Sequence, residues 1–235
     1  MLSRKYDQAL TFAAHLHDGQ LRKGTQIAYL SHLLSVSALV MEHGGSEDEA
    51  IAGLLHDALE DRGDGYTSNF HGEPATGRDS LKRDLARLFG TRVRDIVVAC
   101  TDDEDYAPGH KSKDKSVAAW RQRKERYLAR LRKTTDAGIL RVSSADKLHN
   151  ARAILGDYQE HGEPFWQRFA PKVKSDHLWY YGALAGIFDE RAAATGDQGN
   201  RRMAQELRLV VDRIREHAPA GQAGGAPETG PAIPG

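Results

Sequence analysis

The sequence predicts an all-α fold, and three features carry that prediction. Apolar residues recur at helical spacing over most of the chain, beginning with Tyr6, Leu10 and Ala13. No segment alternates apolar and polar residues convincingly, and β-branched residues are not gathered into several short runs. The breaks between apolar segments carry residues that are typical of helix ends. We therefore expect a bundle of helices.

The first three predicted helices have recognisable ends. The first stops at Gly19, and the second runs from about Leu30 to His43, where a Gly-Gly pair follows. The third begins at Ser46, whose hydroxyl suits an N-cap ahead of three acidic residues that favour a helix N-terminus. We expect this third helix to continue to about Asp61.

The remaining chain predicts one long loop, further helices and a tail. Residues 62–78 contain four glycines and Pro74, so they are predicted to form a loop between helices. Residues 218–235 are rich in Pro, Gly and Ala and are predicted to be disordered, which leaves residues 1–217 as the folded domain. The later helices are predicted at about 80–89, 92–100, 116–132 and 136–155, with two or three more within 164–194 and 200–217.

Composition excludes several classes of function. The 33 Lys+Arg residues equal the 33 Asp+Glu residues, which argues against a protein that coats nucleic acid or an anionic membrane. The single Cys100 rules out an intramolecular disulfide framework and a Cys-rich zinc site. The sequence has neither an apolar run of about 18 residues nor a secretory leader, so we expect a soluble cytoplasmic protein.

The segment from Leu54 to Asp61 carries the most chemistry. It reads Leu-Leu-His-Asp-Ala-Leu-Glu-Asp, and it places His56 and Asp57 about 100° apart on a helix, where both can reach one ion. Glu60 and Asp61 follow one turn later and could handle a proton. The pattern indicates a site for a divalent metal.

Two other segments could complete that site. His32 lies at the start of the second predicted helix, while Asp146 and Asn150 lie four residues apart between apolar turns of a later helix. Taken alone, a His-Asp pair is usually a solvated helix surface, and Asp146 could be a salt-bridge partner of Lys147 or Arg152. The joint occurrence favours the metal site, because an unpartnered buried carboxylate is costly.

Four blocks in this order resemble the HD-domain hydrolases of the RelA/SpoT-like family, which remove the 3′-pyrophosphate from alarmone nucleotides such as ppGpp. The resemblance spans roughly residues 6–155, and the chain length suits a stand-alone hydrolase without a synthetase domain. The blocks are residues 13–25 (AAHLHDGQLRKGT), 29–32 (YLSH), 54–61 (LLHDALED) and 145–152 (ADKLHNAR).

The resemblance implies an HD-domain helical bundle and a role for each matching residue. It implies one Mn²⁺ per chain, and a catalytic pair, Glu60 and Asp61, that orients and deprotonates water. Asn150 would contact the substrate, Arg22 and Lys23 would line the nucleotide site, and Lys147 is a reasonable second phosphate contact. The implied metal ligands are His32, His56, Asp57 and Asp146.

The chain departs from the family pattern at three positions. Ala28 and Leu33 stand where the family usually has Pro, and Ala153 stands where some relatives carry a nucleotide-contacting Thr. The identity of the substrate's base therefore stays open, and the expected substrate is (p)ppGpp or (p)ppApp. Two alternatives also stay open: another HD nucleotide phosphohydrolase, such as a nucleotidase or dNTPase, and a non-catalytic alarmone-binding protein.

The expected partner is the nucleotide substrate, with no nucleic acid and no membrane, and a homodimer is left open. Of the 11 histidines, only His32 and His56 are assigned a chemical role. The others are expected to be structural or exposed, and His149 is expected to point away from the site.

Overall fold

The structure, a computed structural model, describes residues 2–68, 75–101, 116–169 and 174–217. These residues form nine α-helices, which confirms the all-α prediction. None of these helices combines the length and the apolar character that a membrane span requires. The predicted disordered tail, 218–235, lies outside the described residues. The helices are α1 (Arg4–Leu16), α2 (Leu30–Glu42), α3 (Glu47–Leu55), α4 (Arg78–Phe89), α5 (Thr91–Cys100), α6 (Val117–Lys133), α7 (Ala137–His161), α8 (Lys174–Thr195) and α9 (Gln198–Glu216).

Helix α7 forms the centre of the bundle and packs against α2, α3, α5, α8 and α9. Removing apolar side chains such as Val142, Leu148 and Ala151 from water stabilises this arrangement. The helix begins at its N-cap, Asp136, whose carboxylate accepts hydrogen bonds from two backbone N–H groups of the first turn. Because α7 also contacts α2 and α3, it can hold side chains from three helices at one point.

Small residues bring α2 and α3 close together. A Cβ atom placed on Gly53 of α3 would lie 3.1 Å from the Cα atom of Ser37 on α2, so a larger residue would push the helices apart. The Ser37 hydroxyl donates a hydrogen bond of 2.9 Å to the Ala50 carbonyl across the same contact. This close approach places the start of α2 beside the end of α3.

The third helix ends earlier than the sequence predicts. Ser46 and Glu49 form a capping box at its start, which confirms the predicted N-cap. The α-helix, however, stops at Leu55. Asp57 leaves the α-helical region with φ of −94° and ψ of 1°, and a π-helical turn follows over Ala58–Arg62. Such local π geometry is frequent at functional sites, where it redirects side chains.

The predicted loop at 62–78 includes two short strands, β1 (Thr67–Ser68) and β2 (Ala75–Thr76), which pair antiparallel, while residues 69–74 lie outside the described residues. Two strands of two residues each are too short to show an alternating pattern, which is why the sequence predicts only a loop. A 3₁₀ helix at Glu163–Arg168 follows α7.

Candidate metal centre and adjoining cavity

Four side chains from three parts of the fold converge on one point. Nε2 of His32, at the start of α2, lies 3.3 Å from Nε2 of His56, which directly follows α3. Oδ2 of Asp57 lies 2.9 Å from Nε2 of His56, and Oδ1 of Asp146, from the middle of α7, lies 3.3 Å from Nε2 of His32. The structure thus brings together all four residues that the resemblance implies as metal ligands.

The backbone fixes which nitrogen of His56 faces the cluster. Nδ1 of His56 lies 2.9 Å from the carbonyl oxygen of Gly53, and a carbonyl can only accept, so Nδ1 carries the proton. The lone pair of His56 is therefore on Nε2, the ring nitrogen that faces Asp57 and Asp146. Metal-bound histidines commonly use this arrangement, in which the second ring nitrogen donates to a carbonyl or a carboxylate.

The charges at the cluster also fit a cation. Burial alone lowers the pKa of His56, but Asp57 and Asp146 outweigh burial and raise it well above its usual value. Burial opposes ionisation of the two carboxyls, yet the pKa of Asp57 is held well below its usual value by His56. The pKa of Asp146 is held low in the same way by Lys147 and the imidazoles. The carboxylates require a positive charge at this point, which a proton on His56 or a divalent cation supplies.

Two residues hold the cluster from outside. The Tyr29 hydroxyl donates to Oδ2 of Asp57 at 2.5 Å, and burial together with that carboxylate raises the pKa of Tyr29. Nδ1 of His149 lies 2.8 Å from Nδ1 of His32. The expectation that His149 points away from the site is wrong, because His149 follows Asp146 by three residues and so shares its helical face. That spacing was the sequence signal for its position.

Glu60 and Asp61 lie on the π-helical turn, directly after the cluster residues. The exposed Asp61 accepts a hydrogen bond of 2.7 Å from the side-chain nitrogen of Gln20. Arg62 donates to the side-chain oxygen of Gln20 at 3.0 Å, so Gln20 connects this turn to the segment after α1. Glu60 is half-buried on the same turn. Sequence reasoning assigned no role to Gln20.

A cavity of about 260 Å³ lies beside the cluster. Arg22, Lys23 and Asn150, three of the four predicted substrate contacts, line it. NH2 of Arg22 donates to the Asn150 side-chain oxygen at 3.2 Å, and the Asn150 amide donates to Oδ1 of Asp146 at 2.6 Å. The other lining residues are Thr25, Tyr29, Ala153, Ile154, Asp157, Phe165, Phe169 and Tyr181.

The fourth predicted contact, Lys147, has a different position. Its ammonium group donates to Oδ2 of Asp146 at 2.6 Å and lies 5.2 Å from the centre of the Tyr127 ring. Lys147 therefore stands against a predicted metal ligand, outside the residues that line the cavity.

Comparison with known proteins identifies the family to which this arrangement belongs. The HD-domain family matches residues 9–171, which include all four cluster residues and most of the cavity lining. The chain belongs to the HD-domain family. This family assignment accounts for the helical bundle and for a His/Asp cluster of the kind that holds a divalent metal in HD domains.

Curated relatives align with nearly two thirds of this chain. The "Bifunctional (p)ppGpp synthase/hydrolase SpoT" of Escherichia coli is 25% identical over 151 residues, which are 64% of this chain and 18% of the relative. A "GTP pyrophosphokinase" of Myxococcus xanthus is 28% identical over 152 residues, which are 63% of this chain and 17% of the relative. The chain thus spans less than a fifth of these relatives.

Two solved structures share the fold over more of the chain. A metazoan SpoT orthologue, described as hydrolysing ppGpp, has a TM-score of 0.57 and 22% identity and covers 91% of this chain and 95% of its own. A Listeria monocytogenes protein has a TM-score of 0.54 and 21% identity, with coverage of 80% and 99%. At these identities the likeness establishes the HD fold.

Proposed function

We propose that this HD-domain protein hydrolyses the 3′-pyrophosphate of alarmone nucleotides, (p)ppGpp and/or (p)ppApp, in a metal-dependent reaction in the cytoplasm. The products would be pyrophosphate and GDP or GTP, or the adenosine equivalents. The observation that carries this proposal is the His-His-Asp-Asp cluster beside a cavity lined by Arg22, Lys23 and Asn150. The names of the Escherichia coli relative and of the metazoan structure support the same reaction.

We propose one Mn²⁺ per chain as the metal. Two imidazole nitrogens and two carboxylate oxygens suit Mn²⁺, and His32, His56, Asp57 and Asp146 would hold it. When bound, such an ion lowers the pKa of water and neutralises charge on a phosphate oxygen. Tyr29 keeps Asp57 oriented through its hydrogen bond of 2.5 Å.

The carboxylates of the π-helical turn would manage the attacking water. Glu60 would accept its proton, and Asp61, held by Gln20 at 2.7 Å, would orient it. The water oxygen forms a bond to the phosphorus attached to the ribose 3′-oxygen, and the bond between that phosphorus and the 3′-oxygen breaks. The 3′-oxygen leaves with a proton, so one water is consumed for each pyrophosphate released.

The cations would hold the nucleotide. Arg22 and Lys23 line the cavity and offer a guanidinium and an ammonium group to phosphate or base. Asn150 stands between Arg22 and Asp146, where its side chain can contact a substrate beside the metal. Lys147 would act near the metal by balancing the charge of Asp146.

Product analysis tests this proposal. The purified chain with Mn²⁺ is incubated separately with ppGpp, ppApp, GTP and dNTPs, and the products are separated by anion-exchange chromatography. We expect pyrophosphate from an alarmone and none from GTP. Hydrolysis of dNTPs alone would favour another HD phosphohydrolase, and tight alarmone binding without product would favour a sensor. An Asp57→Asn variant provides the inactive control.

A further inference from the structure

Asp157 lies on the same face of α7 as Asp146 of the His/Asp cluster and Asn150 of the adjoining cavity. Asp146, Asn150, Ala153 and Asp157 follow one another at spacings of four, three and four residues, which keeps them on one side of the helix. Asp157 follows Asp146 by eleven positions, so it is about 16 Å further along the helix axis. A metal-bound nucleoside 3′-diphosphate covers this separation only together with the bonds from Asp146 to the metal and phosphate at one end and a hydrogen bond from the base edge to the Asp157 side chain at the other.

Asp157 is the one acidic residue among the described residues that line the cavity. Its Oδ2 lies 3.5 Å from NH1 of Arg168, while its Oδ1 has no hydrogen-bond partner among the described residues. The side chain is 39% exposed, so a ligand can reach it. Phe165 and Phe169 line the cavity as well, and Phe169, the more exposed of the two, offers an apolar surface to a base.

Besides its ion pair with Arg168, the Asp157 carboxylate in this cavity favours a ligand group that donates hydrogen bonds to it. Phosphate cannot do so and is repelled, whereas a nucleobase edge can donate. Guanine presents two adjacent donors, the N1–H and the exocyclic 2-amino group, which match a carboxylate. Adenine presents one donor, its 6-amino group, next to the N1 lone pair, which a carboxylate repels.

We propose that Asp157 makes the site selective for guanine over adenine by accepting hydrogen bonds from the N1–H and 2-amino groups. This inference rests on the proposed function, because it takes an alarmone as the ligand. A hydrogen bond to a charged group corresponds to about a tenfold to hundredfold effect on binding. Asp157 is thus a specificity residue at the end of the cavity away from the His/Asp cluster.

The Asp157→Asn variant tests the inference, because Asn keeps the shape but offers one acceptor and one donor. That pattern complements adenine, whose 6-amino group donates and whose N1 accepts. We expect kcat/KM for ppGpp to fall about tenfold to a hundredfold, while kcat/KM for ppApp stays equal or rises. The matched control is Glu160→Gln, which changes an exposed acidic residue of the same helix and should leave both values unchanged.

Two outcomes would overturn the inference: a ppGpp/ppApp ratio that the Asp157→Asn substitution leaves unchanged, or a wild-type preference for ppApp. Calorimetric affinities for GDP and ADP test base selection without catalysis, and they should shift in the same direction. If the wild type releases no pyrophosphate from either alarmone, the proposed function fails. The GDP/ADP affinity ratio then still decides whether Asp157 selects guanine.

Discussion

The imidazoles of His149 and His32 face each other through their Nδ1 atoms, 2.8 Å apart. If Nε2 of His32 binds a cation, Nδ1 of His32 carries its proton and donates to Nδ1 of His149. Burial, followed by the nearby His32 and Arg22, lowers the pKa of His149 to about 4, which leaves its ring neutral and able to accept. His149 is therefore placed to orient His32, a predicted metal ligand, through Nδ1 of the His32 ring.

We expect His149→Ala to weaken Mn²⁺ binding about tenfold to a hundredfold, because partners that orient a metal ligand carry effects of that size. The measurement is calorimetric titration of the metal-stripped protein with Mn²⁺. His149→Asn keeps an acceptor close to the ring nitrogen and should recover much of the affinity. Equal affinity in the Ala variant and the wild type would show that His149 does not position His32.

Replacement of either carboxylate ligand should remove metal and activity together. Asp57→Asn and Asp146→Asn each replace one anionic donor of the cluster by a neutral amide, which binds divalent ions weakly. Metal content by elemental analysis and pyrophosphate release are measured on the same samples. Asp95→Asn changes an exposed carboxylate on α5 and is the matched control. Full activity in a metal-free variant would contradict the assigned ligands.

Glu60→Gln should separate metal binding from turnover. The side chain belongs to the π-helical turn and is proposed to accept a proton from water, which an amide cannot do. We expect metal content to stay at the wild-type level while kcat falls about a hundredfold or more. If the metal is lost in parallel, Glu60 acts as a ligand or a structural residue.

The N-cap of α7 provides a pH-dependent contribution to stability. Hydrogen bonding to Arg92, at 2.5 and 2.8 Å, outweighs partial burial and lowers the pKa of Asp136 to about 2. A lowered pKa in the folded state means that this stabilisation is complete above pH 4 and is lost as the pH falls through 2.

We expect Asp136→Ala to lower the free energy of unfolding by about 0.5–2 kcal/mol at pH 6, because the N-cap is lost. Asp136→Asn keeps a capping oxygen and should lose less. In urea unfolding experiments, the difference between wild type and Asp136→Asn should shrink from pH 5 to pH 2. A difference that is constant over this range would contradict the assigned pKa.

The sequence predicts much of the helical framework because helix ends are local. Ser46 and the acidic turn that follows mark the start of α3, and Gly19 lies just past α1 with a φ of 68° that suits glycine. The early end of α3 could not be predicted in this way. The change at Asp57 goes together with its contact to Tyr29, which lies 28 residues earlier and reaches Asp57 only in the folded chain.

The candidate site was predictable to the extent that its residues form compact blocks. His56 and Asp57 are neighbours in sequence, whereas His32 and Asp146 join them through the packing of α2 and α7. The positions of His32 and Asp146 on predicted helices make them candidates, and the family resemblance implies that they are ligands. Gln20 gave no signal of its own, since its contacts with Asp61 and Arg62 span more than 40 residues of sequence.

The central claim is that one divalent cation in the His-His-Asp-Asp cluster supports hydrolysis of an alarmone in the adjoining cavity. The most direct test titrates metal-stripped protein with Mn²⁺ while following pyrophosphate release from ppGpp. We predict that release rises to a plateau at one Mn²⁺ per chain and that Asp146→Asn shows neither binding nor release. The claim is contradicted if the metal-stripped protein is fully active, or if one Mn²⁺ per chain binds and no pyrophosphate appears from ppGpp or ppApp.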